Sequence, residues 1–221
     1  MAFRKGAYPA DEFKKIIDRY SEDGKSPDII SFTSAEPTLR PDIIYLLEYA
    51  IGKYPGAEIQ LLTNGRMFSH KQYVARFRHL LPRIGVHIPI HGPNREVHDK
   101  LTLARKSFEQ TVEGIKNVFD AFPAARINIR ILVHKQNYRH LDKTIAFIIK
   151  YFPKVNSIIL IYISMIGYAK KNYSDLFLKF SDLKVVLSNV LRTYSDRASF
   201  LLFHVPYCIT DQEFWDLNAG R

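Results

Sequence analysis

Residues Ile29–Leu39 read IISFTSAEPTL, and the fold is decided in this stretch. Ile29–Phe32 is short and apolar enough for a buried strand. Small residues follow at Thr33, Ser34 and Ala35, then Glu36-Pro37, and a helix opens after Pro41, where a missing N–H costs nothing. A strand whose carboxyl end opens into a turn of small residues leaves backbone groups free to bond something else, and α/β proteins place ligands there. Taken alone, the same pattern also fits an ordinary strand-to-helix connection.

The rest of the chain repeats the unit. Ala10–Asp23 carries Phe13, Ile16, Ile17 and Tyr20 at helical spacing and precedes the first strand. Downstream, strands are predicted at Ile59–Leu62, Val86–Ile90, Ile127–Val133, Ser157–Ile163 and Ser199–Phe203. Helices are predicted at Asp42–Tyr54, His70–Leu81, from Ser107 (read as its cap) to Phe122, at Tyr138–Phe152 and at Asp182–Tyr194. Asn94–Lys106 reads as a long connection, the stretch before Asp182 as irregular, and Val205–Arg221 as loop with a short helix. Strands that each lead into a helix describe βαβ units on a parallel sheet. The expectation is one α/β domain over residues 1–221.

Strands buried on both faces should be apolar throughout. These are not: Ser31, Thr33, Gln60, His87, Asn128, Arg130 and Tyr162 interrupt them, several at period two. Helices packed on such a face would bury polar groups without partners. The pattern therefore implies a curved sheet, a partial (β/α) barrel of about six parallel strands, whose polar face lines a ligand-sized hollow. Separate satisfaction of each polar group inside a core is the other reading.

Composition bounds the function classes. The 221 residues suit a sizeable core, and no apolar run is long enough to span a bilayer. Met1–Tyr8 is basic without an apolar segment behind it, so it does not read as a secretory signal. One cysteine, Cys208, excludes an internal disulfide framework and suits a reducing, cytoplasmic setting; a small buried residue is its expected role. The formal charge of +10 comes from basic residues spread among helices (Lys14-Lys15, Arg76, Arg78, Lys170-Lys171), which reads as solvated outer faces rather than a nucleic-acid stripe. It is also compatible with an acidic peptide or partner. His87 and His91 have neither helical i, i+4 spacing nor an accompanying thiolate, so no metal site is read from them.

Four stretches in order, IISFTSAEPTLRPDI, EIQLLTNG, VHDKLTLARKSFEQTVEGIKNV and INIRILVHKQN, resemble the radical SAM superfamily. The resemblance runs from about Ala10 to the chain's end. LLTNGR, GYAKKN and HVPYCI with Trp215 are most similar to the maturases of the His-Xaa-Ser peptide system. It implies that Ser34, Ala35 and Glu36 form the turn that bonds the amino end of S-adenosylmethionine, with Ser-Ala where the family has Gly-Gly. It implies that Thr63 and Asn64 form a second turn, that Arg130 and Asn137 lie around the methionine and ribose, and that Ser164 lies near the adenine. Pro89 stands where the family often carries a hydroxyl, so that contact is lost. The implied activity is cleavage of S-adenosylmethionine to a 5′-deoxyadenosyl radical, for modification of a ribosomal peptide alongside a partner maturase.

One departure bears on mechanism. The family's [4Fe-4S] cluster needs three cysteine thiolates on a loop after a first strand, just before the helix that here starts at Ala10. Cys208 is one thiolate at the far end of the fold, and neither that strand nor that loop is present. The sequence is thus expected to lack the activity by itself, either as an amino-terminally shortened enzyme or as a cluster-less relative that binds a peptide or partner. A basic nucleic-acid binder is a third and weaker reading.

Overall fold

Burial alternates at period two along Ile29–Phe32, Glu58–Leu62 and Phe200–Phe203, whereas Ile84–Pro89 and Ser157–Tyr162 are buried almost throughout. The computed structural model describes residues 9–22, 26–33 and 35–219, with backbone only for 20–22. The six-stranded sheet runs in the order β1-β2-β3-β4-β5-β6, and the chain divides into two compact units.

The first unit holds the described residues up to Ile88 together with Gln110–Ile127. Helix α1 (Ala10–Glu22) leads into β1 (Ile29–Phe32), α2 (Ile43–Lys53), β2 (Glu58–Leu62), α3 (Lys71–Phe77) and β3 (Ile84–Pro89). Parallel register sets Ser31 beside Gln60 and Gln60 beside Gly85, while Ile59 and Leu61 face Ile84 and Val86. Ile30, Phe32, Ile59, Leu61, Ile84 and Val86 thus share one buried face. Ser31 and Gln60 share the other, more open one, where the Ser31 hydroxyl donates to Gln60 Oε1 at 3.1 Å. Phe68 and Phe77 meet edge to face at 5.2 Å, both fully buried, each contributing about 1.5–3 kcal/mol by leaving water. Of the predicted α1 stripe, Ile17 is buried and Ile16 is nearly half exposed, and the Tyr20 side chain lies outside the described residues.

The second unit holds Pro89–Glu109 and the described residues from Asn128 on. It contains α4 (Arg95–Thr102), the start of α5 (Ser107–Ala121), nearly all of β4 (Arg126–Val133), α6 (Leu141–Tyr151) and β5 (Ser157–Tyr162). Helices α7 (Gly167–Lys171), α8 (Tyr173–Leu176) and α9 (Phe180–Tyr194) follow, then β6 (Phe200–Phe203). Register places Asn128 beside Ser157, Arg130 beside Ile159 and Val133 beside Tyr162. Asn128 and Arg130 share a face as predicted, but Tyr162 lies on the opposite one, where its hydroxyl donates to the Leu178 carbonyl at 2.7 Å and its ring meets Phe180. The face carrying Arg130 is largely apolar beyond it, with Ile159 buried, because Ile159 and Ile161 pair with Leu201 and Phe203 on it.

Three local expectations need correction. Arg95–Thr102 is a helix, not a connection: its one buried side chain is His98, so it lacks the apolar stripe that marks a helix in sequence. The signal was its cap, Asn94, whose side chain accepts from Val97 N–H at 3.1 Å. The stretch before α9 also contains two short helices. Finally, the start of α5 is capped by Asp99 rather than by Ser107 alone. The Asp99 carboxylate accepts from the Lys106 and Phe108 N–H groups and from the Ser107 hydroxyl at 2.6–2.8 Å. Desolvation raises that carboxyl's pKa, but these bonds outweigh it and hold it below the usual range.

The same loop carries two side-chain-bearing residues in the left-handed region, Leu103 (φ 53) and Lys106 (φ 65). Such backbone costs an L-residue about 1–2 kcal/mol, part of which glycine returns as unfolded-state entropy. Lys106→Gly is therefore expected to raise stability by about 0.5–1 kcal/mol in urea melts. An unchanged or lower midpoint contradicts this.

Candidate functional site

The turn after β1 is held by one carboxylate. Glu36 Oε1 accepts from Thr38 N–H (3.1 Å), the Thr38 hydroxyl (2.7 Å) and the Thr63 hydroxyl (2.6 Å). Its Oε2 accepts from Asn64 N–H at 2.7 Å. Glu36 thereby caps the short 3-10 turn Pro37–Leu39 and ties the carboxyl end of β1 to that of β2. Charge-assisted bonds of this kind are stronger than neutral ones. Ala35 sits at φ 20, outside the usual region for a residue with a side chain. Ser34 lies outside the described residues.

The second turn is equally occupied. Besides donating to Glu36, the Thr63 hydroxyl accepts from Gly65 N–H (3.1 Å), and Asn64 Oδ1 accepts from Arg66 N–H (2.9 Å). The Asn64 carbonyl accepts from the Thr111 hydroxyl of α5 at 3.0 Å. Gly65 takes a left-handed conformation (φ 74). Helix α5 approaches so closely that a Cβ on Gly114 would lie 2.2 Å from the Gly65 carbonyl oxygen. Gly114 is thus a residue of this site that sequence pattern alone did not single out. Tyr73 of α3 also donates to the Thr38 carbonyl, and burial pushes its phenol up to about 12.

In the second unit, Arg130 occupies the open face of β4, half buried. Among the described residues its guanidinium has no acceptor, and desolvation alone pulls its pKa down. Asn137, by contrast, is fully employed: Oδ1 accepts from His134 N–H at 2.9 Å, and Nδ2 donates to the carbonyls of Leu132 (2.9 Å) and His91 (3.3 Å). Its amide fixes the loop at the end of β4. Ser164, just past β5, is exposed, its hydroxyl 3.1 Å from His204 Nδ1. On the same face as Arg130, Asn128 Oδ1 accepts from Asn156 Nδ2 and the Ser157 hydroxyl.

Three histidines gather near the ends of β3 and β4. The His91 and His98 rings stack at 5.8 Å, and His98 Nδ1 accepts from His91 N–H at 3.1 Å. His134 Nδ1 accepts from Gln136 N–H. An imidazole nitrogen that accepts is unprotonated, so His98 and His134 are neutral rings. Burial, then the neighbouring His98 and His134, lower the His91 pKa to about 3; burial lowers His98 to about 4 and also depresses His134. Among the described residues no group of three His, Cys, Asp or Glu side chains is arranged to hold a metal ion.

Because these folded-state values lie below the unfolded 6.5, the unfolded chain takes up protons first as the solution acidifies. Stability is complete above about pH 6.5 and falls as pH drops from there toward 3–4. The melting temperature is expected to decline across this window, and His91→Gln should flatten the decline. A profile flat down to pH 4 contradicts the neutral cluster.

Cys208, expected to be buried, is exposed in a short turn after β6. Its neighbours Tyr207 and Trp215 stack edge to face over the chain there, with indole N–H donating to the Tyr207 carbonyl, and leave the thiol outward. Among the described residues no helix is long and apolar enough to cross a membrane.

Comparison with known proteins places these turns in context. The family model for the radical SAM superfamily matches residues 2–148. The AdoMet-dependent heme synthase of Oleidesulfovibrio alaskensis is 31% identical over 126 residues, 57% of this chain and 31% of that protein. Mycofactocin maturase MftC of Mycolicibacterium smegmatis is 29% identical over 123 residues, 55% of this chain and 30% of that one. The match therefore spans about a third of each of these relatives' length. Among solved structures, Streptococcus suis SuiB bound to precursor peptide SuiA superposes with a TM-score of 0.69 at 18% identity, covering 91% of this chain and 44% of SuiB. The anSMEcpe structure with bound AdoMet and Cp18Cys peptide gives 0.69 at 17%, covering 88% and 56%. At such identity the likeness shows the fold, a parallel six-stranded half-barrel.

Proposed function

The chain belongs to the radical SAM superfamily, and we propose that it is an S-adenosylmethionine-binding half-barrel that serves the modification of a ribosomal peptide. Arg130 is the observation that carries this reading. A half-buried guanidinium with no acceptor among the described residues has lost hydration that none of them replaces. A ligand carboxylate supplies the missing bonds, in the two-pronged geometry arginine favours. The residues thus fit the carboxylate end of S-adenosylmethionine.

Within the second unit, Arg130 holds the methionine carboxylate and Ser164 lies toward the adenine; the assignment of Ser34, Ala35 and Glu36 to the amino end rests on the family resemblance of that turn. Thr63 and Asn64 act through Glu36, by fixing its turn. Asn137 acts through the backbone it braces. When bound, S-adenosylmethionine would supply a sulfonium whose one-electron reduction breaks an S–C bond, leaving methionine and a hydrogen-abstracting carbon radical.

The [4Fe-4S] cluster that delivers the electron in this superfamily does not fit these residues. It requires three thiolates, and the 221 residues contain one cysteine, exposed Cys208. By itself the chain then binds S-adenosylmethionine without cleaving it, and works with a partner maturase or with cluster ligands supplied from outside these residues. The second reading is a cluster-less module that binds a peptide or partner. The fully engaged Glu36 carboxylate favours it, since those bonds hold the turn with no ligand present.

Isothermal calorimetry decides between them. S-Adenosylmethionine should titrate to one site, and a decarboxylated analogue should bind much more weakly. Absence of binding by either compound removes the first reading and leaves the second.

A further inference from the structure

We propose that the surface formed by Ile166–Phe180 is a docking face for an acidic stretch of the peptide substrate that also carries apolar side chains; this rests on the peptide-modifying reading above. The segment leaves the end of β5 through Gly167, whose left-handed turn (φ 54) meets nothing within 4 Å of a would-be Cβ. On either side of it, Ile166 is 75% and Tyr168 82% exposed, and Tyr173 and Phe180 further on are also open to solvent. Large apolar side chains this exposed, gathered within fifteen residues, exceed the scattered surface residues of an ordinary monomer.

Charge identifies the occupant. Lys170, Lys171 and Lys179 are exposed on the same stretch, opposed by one carboxylate, Asp175. Lys135 joins them: its ammonium donates to the Ser174 carbonyl at 2.8 Å and its backbone N–H to the Leu176 carbonyl at 3.1 Å. Among the described residues none of these four lysines has a carboxylate within ion-pair distance. Lys171 rests over the Tyr168 ring instead, 5.3 Å from its centroid. Unpaired cations beside exposed aliphatic and aromatic side chains are complementary to glutamate or aspartate interleaved with apolar residues.

A nucleic acid would need free aromatic faces for its bases. Here Tyr173 is stacked on Phe177 at 4.5 Å and Lys171 sits over one face of Tyr168, while Ile166 offers no ring at all. The peptide is therefore the favoured occupant. Ser164, assigned above to the adenine end, lies two residues before Ile166, so a peptide held here passes the strand ends of this unit.

The test uses the whole chain and a short fluorescent peptide of alternating glutamate and leucine, read by anisotropy at low salt. A lysine-leucine peptide and a single-stranded oligonucleotide serve as competitors. The wild-type chain should bind the acidic peptide and neither competitor. Lys170→Glu with Lys171→Glu should weaken binding about tenfold or more, and so should Ile166→Ser with Tyr168→Ser. Melting temperatures within a degree or two of wild type verify that these exposed variants fold. Charge-reversed binding within twofold of wild type, or displacement by the oligonucleotide, overturns the proposal. Calorimetry with S-adenosylmethionine on the same samples separates the two ideas. Peptide binding without cofactor binding sinks the enzyme reading and leaves the docking face standing; cofactor binding without peptide binding does the reverse.

Discussion

Arg130→Leu should weaken S-adenosylmethionine binding about 30–100-fold while making the ligand-free protein melt slightly higher. The first effect follows from removing charge-assisted bonds to the ligand carboxylate, about 2–3 kcal/mol in total. The second follows from the present environment of Arg130: a half-buried cation with no acceptor among the described residues is exchanged for an apolar side chain on a face shared with Ile159 and Ile161. Relief of about 0.5–1 kcal/mol corresponds to a rise of a few degrees in a domain of this size. Opposite signs are the diagnostic. A residue that merely supports the strand would lose stability and binding together, and Arg130→Lys should recover only part of the affinity because an ammonium lacks the fork geometry.

Gly114→Ala is the second large effect, and it acts on stability first. A methyl group placed 2.2 Å from the Gly65 carbonyl oxygen and 3.2 Å from Phe68 Cβ cannot be absorbed by a side-chain rotation, since the nearer obstacle is backbone. Helix α5 must withdraw, at a cost of about 2–4 kcal/mol. That movement pulls on the turn carrying Thr63 and Asn64, whose hydroxyl and N–H hold Glu36, so cofactor affinity should fall as well. Gly52→Ala is the control: it lies inside α2 with nothing within 4 Å, and helix propensity predicts a gain of about 0.5–1 kcal/mol. Equal urea midpoints for the two variants contradict the close approach.

The strands are legible in sequence as short apolar runs, and the polar residues that interrupt them at period two mark a shared face. Ser31 and Gln60 share a face in one unit, and Asn128 and Arg130 share one in the other. Tyr162 departs from the polar face that sequence predicts for it, since a tyrosine satisfies a covered face as readily as an open one: its ring buries against Phe180 while its hydroxyl finds the Leu178 carbonyl. Helix α4 escaped because its inward residue is a histidine, invisible to an apolar periodicity. The exposure of Cys208 depends on how Tyr207 and Trp215 stack, a tertiary contact that local pattern does not encode.

At the candidate site, the identities of Glu36, Thr63, Asn64 and Arg130 came from motif order, but their employment did not. Sequence suggests that all of them face a ligand. The structure shows the Glu36, Thr63 and Asn137 side chains engaged within the protein, whereas the Arg130 guanidinium has no acceptor among the described residues. Hydrogen-bond inventory is a property of three-dimensional neighbours and has no one-dimensional trace. The same holds for Gly114, whose need for a missing side chain appears only once the Gly65 carbonyl is opposite it.

A crystal structure of this chain with S-adenosylmethionine is the most direct measurement. The methionine carboxylate is predicted to lie within about 3 Å of two Arg130 guanidinium nitrogens. A bound ligand whose carboxylate faces solvent or another residue, with Arg130 still unpartnered, contradicts the assignment on which the proposed function rests.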